Sequence, residues 1–404
     1  MKLASVRIPR CLRGDALGRS GDAQALFDVE LDDGVVGSIV PAAEPGRARG
    51  LLLSGLVDAH THIDKGYTVQ EAGAAQGNLF DAIARMEKHR AGWSGTQIEA
   101  RMQRAVHNAW QHGTRALRTH LDWPGPQSPA SLAAFERTRE AWRGRMELQF
   151  VSLTPLDVLT EGDTGRRIAQ EVSRAKGVLG AFIYRNDGIV HKLGRLVEIA
   201  QAAGLALDLH VDEGLDADAT GLRTIAQLAI ARGMRGIVCA HACSLTMQDD
   251  AQARDTLALC AQAGIHLVAL PTTNLYLQGA WDRTPVARGI TRIHEAAAHG
   301  MRTSLATDNV QDAFYPYGSY DLLETFGLGV QAAHLAPALD WLDAVTVSPA
   351  RALGLDWDGR LAPGCPADLL LLAAADEHEL LDGGGRRRTV IRNGQTLDSL
   401  ENAP

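Results

Sequence analysis

The feature that most constrains the fold is a regular alternation of short apolar runs with amphipathic segments between residues 51 and 306. The apolar runs have the length of buried strands, and they comprise residues 51–57, 115–119, 147–153, 178–183, 206–210, 236–239, 266–269 and 303–306. The segments between them have helical periodicity, and several end just before a glycine, a common signal for a helix C-terminus. This pattern predicts a (β/α)8 barrel, with an open doubly wound sheet as the structural alternative.

Both ends of the chain show a different pattern, in which short alternating segments are separated by turn residues. Residues 27–31 precede the turn Asp32-Asp33-Gly34, and residues 388–392 precede Asn393-Gly394. Such turns connect antiparallel strands. We therefore expect a small β domain made from residues 1–50 and 356–404, with the barrel formed by residues 51–355.

Composition excludes several classes of protein. Hydrophobic residues make up 46% of the 404 residues and charged residues 22%, as in an ordinary globular protein and unlike a disordered chain. The formal net charge of -8 argues against binding to nucleic acid. The chain lacks the apolar run of a membrane helix or a signal peptide. Five cysteines without a close pair argue against a disulfide framework and favour a reducing cytoplasm.

Side chains of the metal-ligand type end or follow four of the predicted strands. His60 and His62 follow the first strand, His210 ends the fifth, His241 follows the sixth and Asp308 follows the eighth. Active sites of such barrels lie at the C-terminal ends of the strands, so these side chains should meet. Imidazoles and a carboxylate suit a divalent transition metal. We predict that His60, His62, His210 and Asp308 bind one metal ion.

The same strand ends suggest how a hydrolysis could be catalysed. A bound metal would supply hydroxide, with Asp308 as the base that accepts the water proton and His241 orienting or stabilising the hydroxide. Glu213 is predicted to be the general acid, with an exposed loop carboxylate as the alternative. The fourth strand ends without a lysine that could bridge two ions, which favours a single metal. His120, at the end of the second strand, either supports the metal ligands or makes a structural hydrogen bond.

The ligand set, placed between two terminal β segments, resembles that of the amidohydrolase superfamily and, within it, the cytosine deaminase group, which includes the N-isopropylammelide hydrolases. The resemblance covers about residues 50–395. Its most specific motifs are NLYLQG at 274–279, RGITR at 288–292, DNVQDAFYP at 308–316 and GRLAPGCPADL at 359–369. The resemblance implies one Zn(II) or Fe(II) ion and the hydrolytic loss of an amine from a nitrogen heterocycle.

The chain also departs from that group at positions that contact the substrate. Residues 152–157 lack the glutamine with which cytosine deaminase binds the pyrimidine amide edge. Asn309 stands in place of a second aspartate, and Phe314 matches the stacking tryptophan; both are predicted substrate contacts. Because an unmatched polar edge is costly to bury, we expect a substrate other than cytosine.

Three further residues complete the predicted substrate contacts. Lys65 is expected to bind a carbonyl or anionic group, with a surface ion pair as the alternative. Asn274 and Gln278 are expected to line the mouth of the pocket, with a capping or turn role as the alternative.

The predicted function is that of a metal-dependent aminohydrolase, which removes an amino group from a small nitrogen heterocycle. Two alternatives remain: a hydrolase that releases an alkylamine or opens an amide bond, and a non-catalytic metal- or ligand-binding protein. We expect a cytoplasmic protein whose partner is a small heterocyclic molecule, without nucleic-acid or membrane partners. The resemblance leaves open a homo-oligomer.

Overall fold

The computed structural model describes residues 1–18, 21–43 and 46–397 and contains two β-sheets. The strands are β1 Lys2–Arg7, β2 Leu26–Asp32, β3 Val35–Pro41, β4 Leu51–Ser54, β5 Leu56–Thr61, β6 Thr114–Asp122, β7 Glu147–Pro155, β8 Val178–Ile183, β9 Leu207–Val211, β10 Ile237–His241, β11 His266–Ala269, β12 Arg302–Leu305, β13 Leu369–Leu372, β14 Arg388–Arg392 and β15 Gln395–Thr396. Strands β5 to β12 form one eight-stranded sheet in sequence order. The neighbours from β7 to β12 pair in parallel, which confirms the predicted (β/α)8 barrel.

Helices follow most of the barrel strands, as the periodicity predicts. The α-helices are α1 Val69–Ala72, α2 Leu79–Arg90, α3 Gly95–Gln111, α4 Ala130–Ala141, α5 Leu156–Thr160, α6 Thr164–Arg174, α7 Ile189–Ala203, α8 Gly221–Arg232, α9 Asp250–Ala263, α10 Pro271–Leu277, α11 Ile293–Ala298, α12 Leu322–Ala332, α13 Val347–Leu353 and α14 Glu377–Glu379. Shorter helical turns comprise Arg10–Leu12, Asp15–Leu17, Cys243–Thr246, Ala338–Val345 and Leu380–Gly384. Helix α2 lies between β5 and β6 in the chain and supplies one wall of the cavity described below.

The predicted first barrel strand is in fact two strands in different sheets. Strand β4 pairs with β13 and β1 in the seven-stranded sheet, whereas β5 begins the barrel. Gly55 separates them, and its N–H donates to the carbonyl of Asp368 at 2.8 Å. A Cβ at Gly55 would lie 2.9 Å from the Cβ of Arg115, so this position requires glycine. The prediction of one strand over 51–57 was wrong because both strands are buried, and their sequences merge into one apolar run.

The seven-stranded sheet is built from both ends of the chain, as predicted. Its order is β15-β14-β13-β4-β1-β2-β3. The hairpin β2–β3 turns at Asp33 and Gly34, with φ of 45° and 77°. The hairpin β14–β15 turns at Asn393 and Gly394, with φ of 49° and 78°. Two positive φ values are typical of a type I′ turn, the connection that suits the twist of paired strands.

The chain forms two compact units. One consists of residues 1–58, 107–116 and 321–404 and contains the seven-stranded sheet; the other consists of residues 59–106 and 117–320. Within the first unit, Arg388 donates to the carboxylate of Asp321, and both side chains are buried. The domain boundaries at residues 50 and 355 remain a prediction. None of the helices in the described residues has the length and hydropathy needed to cross a bilayer.

Candidate functional site

Four of the predicted ligands converge at the C-terminal end of the barrel. His60 lies near the end of β5 and His62 just after it, while His210 lies in β9 and Asp308 follows β12. The Nε2 atom of His210 lies 3.2 Å from Nε2 of His60 and 3.3 Å from Nε2 of His62. The Oδ1 atom of Asp308 lies 3.1 Å from Nε2 of His62 and 3.5 Å from Nε2 of His60. All four side chains are buried.

This spacing of donor atoms suits a small divalent ion. Metal–nitrogen bonds of about 2.0–2.1 Å at tetrahedral angles place neighbouring donors about 3.3–3.4 Å apart. The backbone holds this geometry, because Asp308 N–H donates to the carbonyl of His60 at 2.9 Å and Thr61 forms a parallel bridge with Asp308. The bridge joins the first barrel strand to the residues that follow the last one.

The protonation states of these groups also suit a metal. Burial, reinforced by the charge of Lys65, lowers the pKa of His62 to about 4. Burial also lowers the pKa of His210 well below its usual value. For Asp308, burial would raise the pKa, but hydrogen bonds with His60 and His62 lower it well below the usual range. Neutral imidazoles and an ionised carboxylate are the forms that bind metals.

His241 ends β10 at the edge of this cluster. One of its ring nitrogens lies within 4.8 Å of ring nitrogens of His60 and His210. Asn274 in α10 donates its side-chain N–H to Nδ1 of His241 at 3.1 Å. Burial lowers the pKa of His241 to about 3, so the ring is neutral and carries its proton on Nε2. Asn274 therefore lies beside His241, whereas the sequence suggested the pocket mouth.

Glu213 lies three residues beyond His210 and is buried. Burial, reinforced by the negative charge of Asp308, raises the pKa of Glu213 well above its usual value. Its carboxylate lies 3.5 Å from Nδ1 of His241, and its carbonyl accepts from Nε2 of Gln278 at 3.4 Å. The structure therefore places Glu213 in the interior rather than in an exposed loop. Gln278 lines an adjoining open cavity.

A cavity of about 120 Å³ opens above these groups. Glu213, His62, His210 and His241 line its floor. Its apolar walls are formed by Leu79, Ile83, Met86, Trp123, Phe182 and Phe314. Apolar walls around a few polar groups are typical of a site for a flat heterocycle.

The polar wall of this cavity is an ion-pair network centred on Asp122, in which Lys65 is buried and Asp122 and Arg90 are half-buried. Lys65 Nζ lies 2.7 Å from one carboxylate oxygen of Asp122, and Arg90 Nη1 lies 2.8 Å from the other. Burial would lower the pKa of Lys65, but the charges of Asp122 and Asp64 raise it. Lys65 is thus a buried cation facing the cavity, and it lies 5.4 Å from the ring centre of Phe314. Arg90 and Asp122 were not predicted. Asp122 could have been, because it is the last residue of β6 and active-site residues of such barrels lie at the C-terminal ends of the strands.

The two predicted contacts after β12 both line the cavity, and a further carboxylate orders their loop. Asn309 donates to Asp312 at 2.6 Å. Asp312 in turn accepts the backbone N–H groups of Phe314 at 2.8 Å and Tyr315 at 3.1 Å. Asp312 was not predicted, although an aspartate side chain that accepts from the backbone N–H two residues further on is a common turn signal.

Comparison with known proteins agrees with this geometry. The model of the Amidohydrolase family matches residues 151–397. A pterin deaminase of Rhizobium rhizogenes (strain K84 / ATCC BAA-868) is 38% identical over 98% of this chain and 93% of its own length. An N-isopropylammelide isopropyl amidohydrolase of Pseudomonas sp. (strain ADP) is 22% identical over 87% of each chain.

Solved structures show the same fold. The 5-methylcytosine deaminase from Klebsiella pneumoniae, liganded with 5-fluorocytosine, is 27% identical with a TM-score of 0.84, covering 98% of this chain and 97% of that one. The N-isopropylammelide isopropylaminohydrolase from Burkholderia multivorans ATCC 17616 is 26% identical with a TM-score of 0.78, over 98% and 97%. This protein is a metal-dependent hydrolase of C–N bonds. The extent of both the family match and the 38% identity shows that the chain belongs to the amidohydrolase family.

Proposed function

We propose that this enzyme hydrolyses the exocyclic amino group of a pterin, releasing ammonia and leaving a carbonyl at C2 of the ring. The observation that carries the proposal is the 38% identity to a pterin deaminase over 98% of the chain. The cavity supports it, because three apolar side chains of α2 line one wall and the ring of Phe314 offers a flat surface on which a bicyclic ring can stack. The absence of a glutamine at 152–157 fits a ring whose polar edge differs from that of cytosine.

We assign the metal ligands as His60, His62, His210 and Asp308, with a single Zn(II) or Fe(II) ion. A divalent ion at this position acts as a Lewis acid that brings the pKa of water toward neutrality. One ion is favoured because β8 ends at Ile183 and is followed by Tyr184, with no lysine to bridge a second ion. Zinc and iron both accept three imidazoles and a carboxylate.

Two carboxyl groups with opposite pKa shifts supply the acid and the base. Burial holds Glu213 in its protonated form, whereas Asp308 is ionised beside the imidazoles. When the pKa values of two carboxyl groups in one site are shifted in opposite directions, one group can act as the acid and the other as the base. Glu213 donates its proton to the ring nitrogen next to C2, and Asp308 accepts a proton from the attacking water. The C–O bond forms as the ring nitrogen takes the proton of Glu213. The C–N bond then breaks as Asp308 passes its proton to the leaving amine and the hydroxyl proton returns to Glu213, which gives ammonia and the ring carbonyl.

His241 stabilises the oxygen that adds to C2. Asn274 Nδ2 can only donate, so Nδ1 of His241 accepts and Nε2 carries the hydrogen. Nε2 is buried and has no hydrogen-bond partner among the described residues. In this role His241 is a hydrogen-bond donor to developing negative charge, a contribution that is strong in a site that excludes water.

A panel of heterocycles tests the substrate. We expect the zinc-loaded enzyme to release ammonia from pterin with a kcat/KM at least about 100-fold above that for cytosine, because a site rejects a ring whose polar edge it cannot match. Ammonia is measured for pterin, cytosine and 5-methylcytosine, and isopropylamine for N-isopropylammelide. Equal activity on cytosine, or isopropylamine as the main product, would show that the assigned substrate is wrong.

Lys65 is proposed to bind the ring carbonyl of the substrate. Lys65→Gln should raise KM by about 10–100-fold with a smaller change in kcat, because one charge-assisted hydrogen bond is worth about 1.5–3 kcal/mol. The control is Lys192→Gln, which removes an ion pair with Asp157 outside the cavity. An unchanged KM in Lys65→Gln would leave the lysine as a structural partner of Asp122 alone.

A further inference from the structure

A second polar cluster lies inside the barrel against the metal ligand His60. It consists of His120 in β6, Asp208 in β9 and the side chain of Arg118, all of them buried. The rings of His60 and His120 are 3.9 Å apart between centres. One ring nitrogen of each histidine and one carboxylate oxygen of Asp208 lie within 4.8 Å of one another. None of these three cluster residues lines the cavity described above.

Arg118 fixes the orientation of the carboxylate in this cluster. Its Nη1 donates to Oδ2 of Asp208 at 3.0 Å, and its Nε and Nη2 donate to Oε1 of Gln149 at 3.1 and 2.7 Å. The remaining oxygen, Oδ1 of Asp208, lies 3.8 Å from Nε2 of His120. The carboxylate is therefore held on one side by a cation and faces the histidines with its other oxygen.

Nδ1 of His60, the ring nitrogen that does not face the other proposed ligands, is the atom that a buried carboxylate such as Asp208 can influence. Nε2 of His60 faces His210 and Asp308, at 3.2 and 3.5 Å. Nδ1 of His60 is buried without a hydrogen-bond partner among the described residues. A neutral imidazole carries its hydrogen on one nitrogen and a lone pair on the other. Because Nε2 is directed at the other proposed ligands, the tautomer that can bind the metal carries its hydrogen on Nδ1. The negative charge of Asp208, which lies within 4.8 Å of one ring nitrogen of His60, favours a hydrogen on the side of the ring that faces it.

The same donors do not make a second metal site. His60, His120 and Asp208 are metal-binding residue types and lie close together. However, the guanidinium of Arg118 already neutralises Asp208, and a divalent ion there would face this fixed positive charge at short range. The arrangement thus suits positioning of an imidazole rather than binding of an ion.

We infer that Asp208 and His120, held by Arg118, are positioning residues that set the tautomer and the orientation of His60 toward the metal. The inference rests on the metal centre proposed above. Groups that hydrogen-bond a metal-binding histidine commonly contribute about 10–100-fold to metal affinity. Asp208 and His120 act here through charge and ring contact without a hydrogen bond to His60, so we expect an effect at the lower end of that range. This cluster would therefore tune how tightly the enzyme holds its metal without contacting the substrate.

Asp208→Asn tests the inference, because it removes the charge and keeps the shape. We expect about a tenfold weaker zinc affinity, measured by competition with a chelator, and an altered visible spectrum of the cobalt-substituted protein. The control is Asp212→Asn, which removes a buried carboxylate that caps α8 through the N–H groups of Gly221 and Leu222. The zinc affinity of this control variant should stay within about twofold of that of the unsubstituted enzyme.

A second variant covers the case in which Asp208→Asn does not fold. His120→Gln keeps a polar side chain in the barrel and should weaken zinc binding in the same direction. Zinc affinity and cobalt spectrum unchanged in a folded variant at either position would overturn the inference while leaving the metal centre intact. Failure of the unsubstituted protein to bind zinc would instead overturn the metal centre, and the inference with it.

Discussion

Replacement of Glu213 by glutamine is expected to lower kcat by about 10²–10⁴-fold, the usual contribution of a positioned general acid. Glutamine has nearly the same shape, but it has no carboxylic proton to give to the ring nitrogen. Glu213 has no role as a metal ligand in this assignment, so the zinc content of the variant should match that of the unsubstituted enzyme. The measurement is the rate of ammonia release at saturating pterin, together with zinc per protein chain.

The matched control for this variant is Glu171→Gln. Glu171 lies in α6 and forms an ion pair with Arg174 at the surface, so its replacement should leave kcat unchanged. If Glu213→Gln retained full turnover, the acid would have to be another group. A non-catalytic metal- or ligand-binding protein, in contrast, would keep its ligand affinity in this variant and show no turnover before or after the change.

Asp308→Asn should lower kcat by about 10³-fold or more while much of the metal stays bound, because the three imidazoles remain. The amide can still lie beside a metal, but it cannot accept a proton from water. The experiment measures turnover and metal content in parallel and repeats both after addition of excess zinc. Loss of activity that excess zinc does not restore indicates loss of the base.

The control here is Asp250→Asn, in which the lost carboxylate lies at the exposed start of α9 and pairs with Arg292. Normal turnover in Asp308→Asn would mean that the base has been assigned wrongly. Activity that returns fully with excess zinc would instead reduce the role of Asp308 to metal binding.

The sequence predicted those parts of the site that follow from local pattern and barrel geometry. His60, His62, His210 and Asp308 each end or follow a strand, and parallel strands in a barrel bring their C-terminal ends together. The chain-end sheet was predictable from the alternating segments and the two hairpin turns. In both cases a local pattern determines where the side chain or strand lies.

The features that the sequence did not reveal depend on contacts between distant segments. Arg90 lies on a helix, and it becomes part of the polar wall only because α2 packs beside the end of β6. Asn274 contacts His241 because α10 begins directly after β11 and lies against the end of β10. The break at Gly55 depends on the approach of Arg115. The hydrophobic periodicity of a segment does not predict which residues of distant segments it will contact.

The bridge between Thr61 and Asp308 links the metal centre to the closing of the barrel. His60 lies in the first barrel strand and Asp308 just after the last one, so a metal ion bound by both, as proposed above, would join the two segments whose pairing closes the barrel. Binding to the closed form alone adds RT ln(1 + [metal]/Kd) to its stability, about 4 kcal/mol at a thousandfold excess over Kd. Under the proposed assignment, removal of the metal would therefore lower the stability of the closed barrel as well as abolish activity.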